Sequence, residues 1–272
     1  MGGVLQVEKP QRKRKGKKMG SAVAHTESAA TRRTRYAPPE KMVDATVPFL
    51  IGGTHRWNAK QPPQLSFLGS SGSSEKSDPD YLVHVAGDAA LLRRPCVSVI
   101  GTRKATQAGA ARARKVARGL VQNGVVIISG LAAGIDTEAM TAAMSGGGRV
   151  VGVIGTPLDK AYPASNAELQ ESVYREHLLV SQFGIGEKVW PSNFPRRNRL
   201  MAILSDATVV IEASDTSGTL HQAAECMKLG RWLFIAKSVV EDRSLTWPAR
   251  FLEYETCVVL EEVKDITSRI LI

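Results

Sequence analysis

From residue 81 onward the chain alternates short, continuous apolar runs with longer stretches of helical spacing, and most of the runs break into Gly or small residues. The runs at 97–100, 125–128, 149–154, 178–183, 207–211 and 232–236 lack the strict in–out alternation of a half-solvated strand. They read as parallel strands covered on both faces. Between them lies an Ala/Arg-rich helix that closes at Asn123-Gly124, and a helix that starts with Asn166 as N-cap. A helix through 196–204 has Pro195 in its first turn, and one through 220–229 ends on Gly230 as its C′ residue. A closing unit adds a helix at 247–252, a strand at 257–260 and a helix from 262. Ahead of the first core strand, 81–85 predicts an edge strand and 87–92 a short turn-helix. Strands alternating with helices imply right-handed crossovers and a doubly wound, mostly parallel α/β sheet of extended Rossmann-like type.

Upstream the pattern changes. Residues 37–80 are rich in Pro, Gly and Ser and predict irregular structure anchored by a few aromatics such as Trp57 and Phe67. Residues 1–36 predict a disordered basic tail. The division expected is therefore tail, irregular segment and a Rossmann-like domain at 81–272. Charge changes the picture only locally. The net +10 is concentrated in the tail, which holds ten Lys/Arg against two acids, leaving 26 against 24 in the rest. A nucleic-acid site in the body must then be a local cluster. The tail itself reads equally as a docking arm or as a solvated extension.

The apolar runs are shorter than the roughly 18–20 residues of a membrane helix, and the N-terminus lacks an apolar signal core. The expectation is a cytoplasmic protein with no membrane partner. Three widely spaced cysteines and five scattered histidines predict buried thiols, with no metal site, no cofactor and no disulfide framework.

Candidate chemistry sits in the loops after the strands, which a doubly wound sheet gathers along one edge. Gly101-Thr102-Arg103 offers close backbone approach and a forked cation; its alternative is an arginine capping a carboxylate across the edge. Ser129-Gly130 and the small residues up to Asp136 allow the backbone to run close to a ligand, with Asp136 stabilising a helix start. The loop 155–166 supplies Lys160 and Tyr162, a stacking ring unless it packs inward. Asn193-Phe194-Pro195-Arg196-Arg197-Asn198-Arg199 places three arginines at a helix start, where the dipole is already positive; such crowding suits an expected anion. Ser217-Gly218-Thr219 precedes the next helix as a further anion cradle, and Glu225 could orient a ribose or cap that helix. The groove so formed binds anions and stacks bases, with Tyr162, Phe183 and Phe194 interleaved, which suits single-stranded nucleic acid. It contains no catalytic triad or carboxylate pair, and no residue is assigned a catalytic role.

The segments GTRKA (101–105), SGLAAGID (129–136), GTPLDKAYPASN (155–166), NFPRRNRLMAILS (193–205) and VVIEASDTSGTL (209–220), preceded by GDAALL (87–92), resemble in order and spacing the DNA-processing protein A (DprA/Smf) family. The resemblance spans roughly 150 residues of the chain. It implies an extended Rossmann-like domain that binds single-stranded DNA without hydrolysing it, forms a homodimer and loads RecA recombinase during natural transformation. By the same resemblance Arg103, Arg196, Arg197 and Arg199 hold phosphates, with Lys160 beside them. Ser181-Gln-Phe-Gly-Ile-Gly186 stands where the family carries Ser-Glu-aromatic-Pro-Pro-Gly, and Lys237-Ser-Val-Val240 where a Pro-Gly loop is common. A phage-defence or mobile-element role stays open beside transformation. A second function class also stays open. Residues 217–225 resemble the signature of the LOG-like phosphoribohydrolases, with Ser217 in place of a glycine and Glu225 six residues after Thr219 instead of three. That alternative is a nucleotide-processing enzyme or a nucleotide sensor.

Overall fold

The computed structural model describes residues 36–52 and 82–271. The basic tail up to residue 35, and the anchors Trp57 and Phe67, lie outside the described residues.

Nine strands form one sheet. In chain order they are β1 (Val43–Thr46), β2 (Leu82–Gly87), β3 (Cys96–Gly101), β4 (Val126–Ser129), β5 (Val150–Ile154), β6 (Leu178–Ser181), β7 (Ala207–Glu212), β8 (Trp232–Ala236) and β9 (Cys257–Leu260). Their spatial order is β1-β2-β6-β5-β4-β3-β7-β8-β9. All strands from β6 to β9 in that order pair in parallel, while β2 pairs antiparallel to β6 and β1 antiparallel to β2. The chain winds outward from β3 through β4, β5 and β6, then returns to lay β7 on the opposite side of β3. Such a reversal opens a crevice beyond the carboxyl ends of the two central strands.

The helices are α1 (Val47–Ile51), α2 (Gln107–Gln122), α3 (Ile135–Ser145), α4 (Ala167–Glu176), α5 (Asn193–Leu204), α6 (Thr219–Lys228), α7 (Lys237–Val240), α8 (Trp247–Leu252) and α9 (Lys264–Ile270). They divide between two apolar layers. Alternate strand residues feed each layer: Val97 and Val99 of β3 join the side holding Ala113, Leu120 and Met140, whereas Cys96 and Ile100 join Leu200, Leu204 and Met227. β3 to β7 are buried along almost their whole length, as unalternated runs require.

Two expectations are corrected. The segment at 37–80 is not irregular throughout, because residues 43–51 form β1 and α1. Val47, Leu50 and Ile51, spaced as one helical stripe, are buried, and Pro48 sits in the first turn where its missing N–H costs nothing. The Pro, Gly and Ser content of the whole stretch masked this short apolar cluster. Consequently β2 is not an edge strand; β1 covers it, with His84 directly opposite Asp44 and its Nδ1 2.6 Å from the carboxylate. Residues 237–240, which stand where the resembled family commonly has a Pro-Gly loop, form a helical turn, α7.

Just past the basic tail, the described chain begins clamped to α4. Tyr36 donates its hydroxyl to the Leu158 carbonyl at 2.8 Å and meets Tyr174 edge-on, while the Tyr174 hydroxyl donates to the Ala37 carbonyl. Burial pushes the Tyr36 phenol up to about 12.

Candidate nucleic-acid interface

The loops after β3, β4, β5 and β7 meet at the crevice, and each is held by its neighbours. Glu212, the last residue of β7, is the clamp for the loop after β3. Its carbonyl accepts the Thr102 amide at 2.7 Å, and its carboxylate accepts the Thr106 hydroxyl at 2.8 Å. Thr106 in turn caps α2 by accepting the Gly109 amide. A carboxylate does therefore stand across the sheet edge, but Thr106 is its partner. Arg103 has no carboxylate partner among the described residues; its guanidinium lies exposed, 5.8 Å from the centroid of the Phe194 ring.

Gly134 fixes where that loop sits. Its φ of +80° is a conformation L side chains avoid, and a Cβ there would lie 2.4 Å from the Thr102 carbonyl oxygen. The Ile135 amide donates to that same carbonyl at 3.2 Å, so α3 starts directly against the β3 loop. Asn166 stands at the N-cap position of α4, but its side chain reaches across to the Leu131 carbonyl and the Thr137 hydroxyl, tying the loop after β5 to the loop after β4.

The three arginines of α5 part company. Arg197 is only 6% exposed and points under the sheet edge. It donates to the carbonyls of Gly130 and Val153, and to the Asn198 side chain at 2.9 Å. Gly130 is needed for this approach, since a Cβ would lie 2.0 Å from the guanidinium nitrogen. Asp136 completes the arrangement by accepting the Gly130 amide at 3.0 Å. Burial pushes the Asp136 carboxyl above its ordinary range, opposed by Arg197; burial pulls Arg197 below its own, opposed by Asp136. Burial therefore outweighs the attraction between the two groups in both directions. Arg197 is thus a structural strut and not the exposed phosphate ligand expected. Arg199 faces α6, with its Nε 3.7 Å from the Glu225 carboxylate. Arg196 is exposed and lies 5.2 Å over the Phe183 ring, which is itself buried and offers no face to a base.

The other expected residues divide in the same way. Ser129 is buried, donating to the Val99 carbonyl, and both backbone groups of Gly130 are engaged, so these two shape the floor. Asn193 is buried against the Gly155 carbonyl. Lys160 donates to the Glu187 carbonyl at 2.8 Å and holds two loops together. Ser217 accepts the Thr219 amide and packs its hydroxyl on the Thr219 side chain, forming the first turn of α6, while the Gly218 carbonyl accepts from Asn198. Glu225 lies in the last turn of α6, paired with Lys228 and Arg199, and so does not cap the start of that helix.

What the structure does assemble is a cavity of about 320 Å³ at the β3/β7 reversal, lined by Gly101, Thr102, Arg103, Phe194, Gly218 and His221 among others. Beside it, Tyr162 is 48% exposed and packs on Phe194 in a tilted arrangement with ring centroids 5.3 Å apart. Arg103, Phe194 and Tyr162 therefore form one continuous cation–ring–ring surface on the rim. It offers a phosphate-binding fork next to apolar faces at base height. Sequence reasoning missed Glu212 as the clamp, although an acid ending a buried strand was the available signal. It also missed the burial of Arg197, which shares a helical stripe with Leu200, Met201 and Leu204.

Comparison with known proteins agrees with this arrangement. DNA processing protein DprA of Streptococcus pneumoniae is 41% identical over 169 residues, covering 62% of this chain and 60% of the relative. Protein Smf of Escherichia coli is 35% identical over 237 residues, covering 85% of this chain and 61% of the relative. The chain thus spans about three fifths of the length of both. The crystal structure of the S. pneumoniae protein superposes with a TM-score of 0.67 at 32% identity, covering 85% of this chain and 75% of that one. DNA processing protein A from Helicobacter pylori, whose structure concerns its single-stranded DNA binding mode, gives 0.64 at 26% identity over 72% and 89%. Residues 60–270 match the family model of DNA recombination-mediator protein A, and the chain belongs to that family.

Proposed function

We propose that this chain binds single-stranded DNA, without covalent chemistry, in DNA processing or recombination. One observation carries the reading: an exposed arginine, without a carboxylate partner among the described residues, lies against a tilted pair of rings at the switch point of the sheet. A phosphate takes the fork of Arg103, and the neighbouring bases lie on Tyr162 and Phe194, whose faces accept any base. Arg197 adds positive potential from below while remaining tied to backbone carbonyls. Arg196, exposed and lying over the Phe183 ring, is a second phosphate ligand. Family membership supports a homodimer, RecA loading in natural transformation and a cytoplasmic place of action as further parts of the proposal. Among the described residues no helix is long and apolar enough to cross a membrane, and no group of His, Cys, Asp and Glu is placed to hold a metal. The phosphoribohydrolase alternative has little support in the geometry, because Glu225 is ion-paired at the far end of α6.

The test compares labelled single-stranded and duplex oligonucleotides of one sequence by fluorescence anisotropy across a salt series, with nucleoside monophosphate turnover assayed in parallel. Tighter, salt-dependent retention of the single strand without release of base is expected. Equal retention of duplex, or base release, would overturn the reading.

A further inference from the structure

The track does not end at Tyr162. Beyond β6 the chain runs through Phe183 and a Gly-containing loop into α5, and this loop carries Trp190, 53% exposed although Lys188 lies 4.2 Å over its ring. A tryptophan half open to water at a carboxyl sheet edge, with a cation already on it, has the same composition as Arg103 on Phe194. The loop is fastened where it matters. The Glu187 carbonyl accepts from Lys160, and the Glu187 carboxylate accepts the Gly184 amide at 2.8 Å, so the loop's acid is occupied locally. The Trp190 carbonyl accepts the Asn193 amide at 3.0 Å in the turn that leads into α5.

That turn sets the spacing. Its ends lie within about 7 Å of one another, and Phe194 is one residue, about 3.8 Å, further on. The Cα atoms of Trp190 and Phe194 are therefore no more than roughly 11 Å apart, within the reach of a few nucleotides of a single strand at ~3.4 Å each. Arg196 follows two residues after Phe194 and lies over the Phe183 ring. Three cation–ring pairs belong to this edge: Lys188 on Trp190, Arg196 on Phe183, Arg103 on Phe194. The Phe183 ring is buried, whereas Trp190 and Tyr162 are exposed.

We infer that Trp190 and Lys188 form a second base-stacking station, which extends the single-strand track past the Tyr162–Phe194 ring pair toward β6; this rests on the single-stranded DNA reading above. The polyanion fits because every charged side chain on this stretch that is free to move is basic, and an apolar protein partner would meet Lys188 and Arg196 first.

The experiment titrates homopyrimidine single strands into wild type, Trp190→Ala, Trp190→Phe and Arg103→Ala, following anisotropy, intrinsic tryptophan emission and the melting temperature of each. Trp190→Ala should weaken binding roughly fivefold to a hundredfold, the range for losing one base stack, with melting unchanged. Wild type should show DNA-induced quenching of tryptophan emission, and Trp190→Phe should restore most of the affinity while removing that quenching. Wild-type affinity and undiminished quenching in both Trp190 variants, while Arg103→Ala still weakens binding, would overturn the second station and leave the groove standing. No retention of the strand by wild type would remove both.

Discussion

Replacing Arg197 by Met separates a strut from a ligand. The substitution keeps an apolar stem of similar reach but removes the fork that satisfies the Gly130 and Val153 carbonyls and faces Asp136. Removing the donor leaves two buried carbonyls unsatisfied, at about 1–3 kcal/mol each, and takes the opposing charge away from buried Asp136, so a loss of about 3–5 kcal/mol is expected. For a domain of this size each kcal/mol moves the melting temperature by about 2–4 °C, so Arg197→Met should melt about 6–20 °C below wild type. Asp136→Asn in the same chain should recover part of that loss, giving a double variant less damaged than the two single effects combined. Thermal and urea unfolding measure stability, and a salt series of single-strand affinity measures phosphate contact. The strut assignment requires the folded variant at low temperature to keep nearly the wild-type salt slope. A variant that melts with wild type, yet loses about 0.7 from the log–log slope expected of one phosphate contact, would show Arg197 to be a ligand.

Tyr162→Ala should cost about 1–3 kcal/mol of single-strand affinity with little change in melting, since the ring is half exposed; the reverse pattern would make it a core ring. Gly134→Ala forces a Cβ against the Thr102 carbonyl at a positive φ, so it should destabilise by roughly 1–3 kcal/mol and also weaken DNA binding by displacing Arg103; wild-type values in both unfolding and anisotropy would refute that link. His177 is held below its ordinary pKa by burial and by Arg149, against Glu176. The unfolded ring takes up its proton at higher pH than the folded one, so stability falls as pH drops below about 6.5. Melting curves from about pH 7 to pH 5.5 should be flatter for His177→Gln than for wild type; parallel curves would exclude the histidine.

How far the sequence carries depends on what its signals encode. Unalternated apolar runs specify strands buried on both faces, and β3 to β7 follow directly from them. The order of those strands, with β7 returning to the far side of β3, is set by tertiary packing and leaves no local pattern in the sequence. The partition of Arg196, Arg197 and Arg199 was half legible. Residues 193, 197, 200, 201 and 204 share one helical stripe, which assigns Arg197 and Asn193 to the buried face. That Arg199 would find Glu225 depends on α5 packing against α6, a tertiary fact with no local trace. β1 was hidden for a different reason: four residues of edge strand gain their stability from pairing with β2, not from any pattern of their own.

The most direct test is the salt dependence of single-strand binding by Arg103→Ala beside wild type, with melting temperatures recorded on the same samples. An exposed guanidinium that meets a phosphate, and has no carboxylate partner among the described residues, should, when removed, lower affinity, flatten the log–log slope by about 0.7 and leave melting nearly unchanged. Identical affinity and slope in the two proteins would mean that no strand passes over the β3 loop.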